Sequence, residues 1–272
     1  MKLQGIGLRA ASTAVLAPAA IAALYLGGLP FMLMIAVSTA FLAFEWTQMS
    51  QSRRKGPLTF LLTVTIVAGC IGAYADELPL AWAVCAIGAL ILAVVARTGG
   101  GWAGRAWFGV LYLAVPIVLM VWLRLQDEGG RWTILLFAIT WGADIAAYLA
   151  GSAIGGAKLA PRLSPNKTWA GFIAGLVAGS AVAALVTLSF AMAGPEWRIT
   201  GLPVLWAALV GLAGALATMS GDLFESALKR RYGVKDSGDI IPGHGGLLDR
   251  VDGLLFAAVV VAGARVLAGG AL

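Results

Sequence analysis

Long uninterrupted apolar runs constrain this 272-residue chain more than any motif in it. Nine stretches, approximately 8–27, 30–47, 58–75, 79–97, 106–124, 132–151, 169–193, 202–221 and 253–270, are nearly free of charge. Each is about as long as a helix must be to cross a hydrocarbon layer of ~30 Å. In lipid the backbone must satisfy its own hydrogen bonds, so runs of this length predict helices. Charged residues make up only 12% of the chain, about half the share in soluble domains. The expectation is an all-α integral membrane protein with about nine transmembrane helices. No polar stretch is long enough for a soluble domain, so 1–272 reads as a single polytopic membrane domain. Within it, about 1–130 supplies N-terminal helices, and about 131–272 the helices and longer cytoplasmic loops in which a site is sought. Lys2 and Arg9 ahead of small and apolar residues imitate a signal peptide, but with so many spans following an uncleaved first helix is expected. Cys70 and Cys85 both sit in apolar runs and read as small hydrophobes, not as a disulfide or metal motif.

The basic residues set an orientation. With the N-terminus in the cytoplasm, 15 of the 19 Lys and Arg residues fall inside, leaving Arg124, Arg131, Arg198 and Arg265 outside. An error of one span would mix the two sets. Two inside segments exceed a turn, about 152–168 and about 222–252. The second holds 11 of the chain's 32 charged residues, six of them acids. Topology explains the basic residues of such a loop and leaves the acids unexplained.

If the eighth helix continues past the membrane surface, Asp222, Glu225, Ser226 and Lys229 share a face at i, i+3, i+4 and i+7. The plain alternative is a solvated helix end with a Glu225–Lys229 ion pair. Asp249 and Asp252 lie three apart at the start of the ninth span, where the helix dipole favours acids. Two close carboxylates repel unless a cation or base lies between them, and Mg²⁺ is held by one or two carboxylates together with substrate phosphates. Between these clusters, DIIPGHGGLL carries Pro242, Gly243, His244, Gly245 and Gly246, which prevent a helix and permit φ > 0. Such a loop offers bare N–H groups to an anion; its alternative is a plain turn.

Asp144 lies inside the sixth apolar run, with Tyr148 and Ser152 on the same face. An acid at that depth marks a function by default; a helix–helix hydrogen bond is the alternative. Just beyond come Lys158, Arg162 and Lys167. Ser164-Pro165-Asn166 reads as a turn, and Ser164 or Thr168 as the cap of the seventh helix. Together these residues suggest metal-assisted phosphoryl or nucleotidyl transfer at the cytoplasmic membrane edge, with carboxylates for the cation and basic groups and amides for phosphate. GSAIGGAK lacks the ending of a Walker A loop, and no G-x-S-x-G elbow is present.

SALKRRYGVKDSGDIIPGHGGLLDRVD, residues 226–252, resembles the signature of the phosphatidate cytidylyltransferases, or CDP-diacylglycerol synthases. The positions carrying it are Ser226, Lys229-Arg230, Lys235-Asp236, Pro242, His244-Gly245-Gly246, Asp249-Arg250 and Asp252. SPNKTWAG and the Asp144–Tyr148–Gly151 pattern are also similar to that family. The first five spans match only as hydrophobic runs. The resemblance implies that CTP and phosphatidic acid give CDP-diacylglycerol and pyrophosphate in a multi-pass protein of the inner (cytoplasmic) membrane. It implies Mg²⁺ and leaves open a second, monovalent cation. Asp222, Asp249 and Asp252 become the expected metal ligands, with Asp144 and Asp236 as further acids. Lys167, Lys229, Arg230, Lys235 and Arg250 would meet phosphates. Ser164, Pro165, Asn166, Thr168, Ser226, Gly243, Gly245 and Gly246 would shape the substrate site. His244 would donate to pyrophosphate, although a general acid or base is an alternative. The expected partners are CTP, phosphatidic acid, membrane lipids and a second copy of the chain as a homodimer, with no nucleic acid.

A CTP-dependent polyprenol or phytol kinase would release CDP instead, and the long 226–252 match argues against it. A transporter would explain Asp144, but no inverted repeat is present. A CDP-alcohol phosphotransferase needs D-G-x-x-A-R, whereas Asp252-Gly253 continues into LLFA.

Overall fold

The computed structural model describes residues 14, 18–51, 53–241, 243 and 245–269. Among them the order is α1 (described over 18–26), α2 (Gly28–Ser50), α3 (Lys55–Tyr74), α4 (Leu78–Thr98), α5 (Ala103–Leu125) and α6 (Gly129–Ala153). Then come β1 (Lys158–Ala160), β2 (Ser164–Thr168), α7 (Trp169–Ala193), a 3-10 turn (Pro195–Trp197), α8 (Val204–Arg231) and α9 (Leu248–Gly269). Among the described residues the fold is all-α apart from one hairpin. Eight helices among the described residues, α2 to α9, are long and apolar enough to cross a membrane. They match eight of the nine expected spans. Of the first, 8–27, residues 8–13 and 15–17 lie outside the described residues and 18–26 are helical. Many large apolar side chains on these helices are exposed, among them Phe60, Ile87, Leu90 and Val177. Exposure of that kind suits lipid as the surrounding solvent.

Two departures from the expected boundaries matter. Helix α8 does not stop near 221 but runs to Arg231, which puts Asp222, Glu225, Ser226 and Lys229 on one continuous helix. Helix α9 begins at Leu248, so Asp249 and Asp252 are inside it. One expectation is corrected. Ser164-Pro165-Asn166 is not a turn but the start of β2, and the turn is 161–163. The strands pair antiparallel, with Lys158 opposite Thr168, Ala160 opposite Ser164 and an irregularity between. Pro165 is tolerated because a two-stranded hairpin consists only of edge strands.

The chain divides into two compact units, one formed by Met1–Leu125 with Arg231–Val251, the other by Gln126–Arg230 with Asp252–Leu272. In the first, α2, α3 and α4 pack around α5, 72% of whose spanning window is buried. Leu58, Leu62, Ile66, Leu92, Leu113 and Leu123 are fully buried there, and Cys70 and Cys85 are buried free thiols. The segment that follows α8 docks onto this unit through Tyr232. Its ring meets the edge of Trp46 at 6.0 Å, and the Arg105 guanidinium lies 4.9 Å from its centre.

In the second unit, small residues let the helix backbones approach closely. A Cβ on Gly171 would lie 2.6 Å from the Ala147 carbonyl oxygen of α6, and one on Gly175 would lie 3.0 Å from that of Ala143. A Cβ on Gly221 of α8 would lie 2.5 Å from the Asp252 carbonyl oxygen of α9. These approaches set the positions of the acids on α6, α8 and α9. Overpacking a rigid contact costs about 1–3 kcal/mol, so Gly221→Val is expected to lower the stability of the detergent-solubilised protein by that amount. A thermal midpoint equal to that of the unaltered protein would show that α8 and α9 are not locked at Gly221.

Candidate functional site

In the second unit, four carboxylates from three helices interact with two lysines. The Asp222 carboxylate on α8 forms an ion pair with the Lys167 ammonium from β2, and both remain partly exposed. Asp144, exposed on α6, interacts electrostatically with both of them. One turn further along α8, Glu225 is fully buried and accepts a hydrogen bond from Lys229 Nζ at 2.7 Å. Glu225 is also in side-chain hydrogen-bond contact with Asp252 of α9, which in turn interacts electrostatically with Asp222. Four acids against two bases leave two carboxylates in excess when all are ionised. The arrangement is an accessible layer, Asp144–Asp222–Lys167, above a buried layer, Glu225–Lys229.

The hairpin explains how Lys167 gets there. Gly155 and Gly156 follow α6 with φ of 65° and 87°, a backbone that favours glycine. The chain turns back through β1 and β2, and Thr168 then caps α7 by accepting from Gly171 N at 3.1 Å. Thr168 is thus the cap and Ser164 is not. The Thr168 hydroxyl is buried in that bond, whereas Pro165 and Asn166 are exposed on the hairpin and Ser164 is half-buried. Ser226 is half-buried and Arg230 exposed on α8.

The first unit holds the glycine-rich loop. Ile241 and Gly245 exchange backbone hydrogen bonds of 2.9 and 3.1 Å, closing a tight turn. Gly243 and Gly245 take φ of 79° and 86°, so the turn requires glycine there. Asp249 Oδ2 accepts from Ser237 N at 3.1 Å and from Gly246 N at 3.2 Å, tying both arms of the loop to the start of α9. Asp249 therefore has a structural task in addition to the metal ligation expected of it. Lys235, Asp236 and Arg250 are exposed on the same segment. His244 lies outside the described residues, as does Pro242.

Sequence reasoning missed Glu45. This acid sits in the apolar run of α2, fully buried, with Oε1 accepting from Leu247 N at 2.7 Å. Its Oε2 accepts from Leu248 N at 2.7 Å and from Ser237 Oγ at 3.2 Å. The available signal was the one that singled out Asp144, a lone acid in a spanning helix.

Oxygen donors of this kind suit Mg²⁺, which takes few protein ligands and completes its shell with water and phosphate. Among the described residues no three His, Cys, Asp or Glu side chains form a ready ligand set. The accessible acids of the second unit fit an ion that needs only one or two.

Comparison with known proteins places these features in a family. The model for the "Cytidylyltransferase family" matches residues 7–267. The "Phosphatidate cytidylyltransferase" of Brucella suis biovar 1 (strain 1330) is 40% identical over 241 residues, covering 87% of this chain and 84% of that protein. The protein of the same name from Brucella melitensis biotype 1 is 39% identical over the same length. That of Rickettsia felis is 39% identical over 157 residues, covering 56% of this chain and 66% of that protein.

Proposed function

The chain belongs to the cytidylyltransferase family, and from that premise we propose that it transfers CMP from CTP to phosphatidic acid. The products are CDP-diacylglycerol and pyrophosphate, and the enzyme is a nucleotidyltransferase of phospholipid biosynthesis. Its relatives carry the name of that activity. The observation from the molecule itself that supports the reading most is the Lys167–Asp222 ion pair. It joins the two sequence segments, 158–171 and 221–253, that chemistry had singled out independently.

The reaction needs no enzyme nucleophile. A phosphate oxygen of phosphatidic acid attacks the α-phosphorus of CTP, and the bond from that phosphorus to the oxygen leading to the β-phosphate breaks. Pyrophosphate leaves with the electron pair. Both reactants are polyanions, so the protein's task is positioning and charge neutralisation. Asp222 and Asp252 would hold Mg²⁺, with Asp144 near by, and Asp249 keeps the loop in shape. The ion supplies electrostatic stabilisation of charge on the transferring phosphoryl group. Lys167 is placed to exchange its Asp222 partner for a phosphate. Lys229 serves first as the partner of buried Glu225. Arg230, Lys235 and Arg250, all exposed, are assigned to phosphates, with Asp236 beside them. Ser164, Pro165, Asn166, Ser226 and the 243–246 turn are assigned to CTP, and His244 to a hydrogen bond with pyrophosphate. The 15-to-4 split of basic residues supports a cytoplasmic membrane location with this chemistry on the cytoplasmic side. A homodimer is part of the reading and is checked by mass in detergent or nanodiscs.

The purified protein, given CTP, Mg²⁺ and phosphatidic acid in mixed micelles, is expected to release one pyrophosphate per CDP-diacylglycerol formed. EDTA is expected to take the rate to background, and excess Mg²⁺ to restore it. CDP as the nucleotide product would overturn the reading in favour of a lipid kinase. An undiminished rate in EDTA would remove the metal from it.

A further inference from the structure

We propose that Glu45 is a positioning residue, which holds the backbone of the glycine-rich loop in its working shape without itself touching substrate. The proposal rests on the activity proposed above.

The start of α9 poses a problem that its own sequence does not solve. The first N–H groups of a helix need acceptors from outside the helical ladder. The usual source is a Ser, Thr, Asp or Asn side chain at the cap. Here the residues at that point are Leu247 and Leu248, which carry no oxygen in their side chains. Glu45 supplies both acceptors from another helix, with N–O distances of 2.7 Å to each amide. Its charge also suits the positive end of the α9 dipole.

The same carboxylate reaches the other arm of the loop. Oε2 accepts from the hydroxyl of Ser237, itself buried. Gly238 lies so close that a Cβ there would sit 3.2 Å from Glu45 Oε1. One side chain therefore binds residues 237, 247 and 248, the two ends of a loop containing Gly243, Gly245 and Gly246. The Asp249 carboxylate holds the same arms through Ser237 N and Gly246 N. The groups facing Glu45 are these amides, the Ser237 hydroxyl and the Asp249 charge. An ionised carboxylate is the group that accepts on both oxygens; an amide presents an N–H to one of the two N–H donors instead. Glu45 is thus a two-ended clasp that fixes the path of the turn assigned to CTP.

The test uses Glu45→Gln and Glu45→Asp in the 272-residue chain in nanodiscs. Three readouts are taken: kcat and KM for CTP, the thermal midpoint, and hydrogen exchange of a peptide spanning 237–248 against peptides from α3 and α4. Glu45→Gln is expected to stay folded, to exchange faster only in 237–248, and to lose about 100-fold in kcat/KM, the scale of a misplacement of ~1 Å. Glu45→Asp, which keeps both oxygens, should recover part of the loss and keeps the test decisive where Gln impairs folding. The proposal is overturned where Glu45→Gln matches the unaltered protein within about twofold in kcat/KM. It is equally overturned where α3 and α4 exchange faster in step with the loop, since that is loss of fold alone. An unaltered protein without cytidylyl transfer would instead overturn the activity. Unchanged exchange in 237–248 would then still dismiss the clasp.

Discussion

Asp222→Asn is expected to reduce cytidylyl transfer by at least about 10³-fold, the scale on which preorganised charge stabilises a transition state, while the protein stays folded. The substitution keeps the shape of the side chain and removes one charge from the accessible layer. Asp222 is partly exposed and its partner Lys167 can turn to solvent. The cost in stability should therefore be that of a surface change, within about 0.5 kcal/mol. What is lost is the carboxylate that interacts with Asp144, Asp252 and Lys167 alike. With this acid absent, the proposed cation has no strong ligand on α8. Raising Mg²⁺ should recover little, because an amide oxygen is a weak substitute for a carboxylate. Activity within about tenfold of the unaltered protein, in a sample with the same thermal midpoint, would remove Asp222 from the metal site.

The second large effect concerns stability. Lys229→Met is expected to destabilise the protein by about 3–5 kcal/mol, because it strands a buried charge. Glu225 is fully buried and Lys229 nearly so, with 2.7 Å between Nζ and Oε2. Pairing Lys229→Met with Glu225→Gln should recover most of that loss, since the carboxylate that needed a partner is gone. Thermal or denaturant unfolding of the single and double variants in detergent measures the difference. A single variant within about 1 kcal/mol of the unaltered protein would mean that the pair is exposed and weak. This expectation also separates two tasks for Lys229. Activity lost only in proportion to folded protein would leave it with the structural one alone.

The span pattern was legible because lipid imposes one rule on every crossing segment: a long apolar helix. Eight spans were legible, six of them to within a few residues at both ends. The errors fell where that rule stops acting. Helix α8 continues beyond its apolar stretch because Leu223, Phe224, Ala227 and Leu228 keep helical spacing among the charges. Ser164-Pro165-Asn166 reads as a turn in sequence because Ser-Pro-Asn is turn chemistry, and strands of three and five residues carry too little alternation to reveal the hairpin. The i, i+3, i+7 spacing on α8 put Asp222, Glu225 and Lys229 together correctly. Spacing could not tell that Glu225 would be buried and Lys229 committed to it. Thr168 was legible as a cap because the motif is local. Glu45 was not, because its bonds reach 192 to 203 residues along the chain. A lone acid in a spanning helix was the only trace it left in the sequence.

The central claim is that the α-phosphorus of CTP, not the γ-phosphorus, is transferred to a lipid phosphate. It is tested most directly by giving the purified protein Mg²⁺, phosphatidic acid in mixed micelles and CTP labelled with ³²P at either position. The account predicts label in the lipid from α-³²P-CTP, none from γ-³²P-CTP, and loss of the lipid label when phosphatidic acid is withheld. Label in lipid from the γ position alone would contradict it and make the protein a kinase.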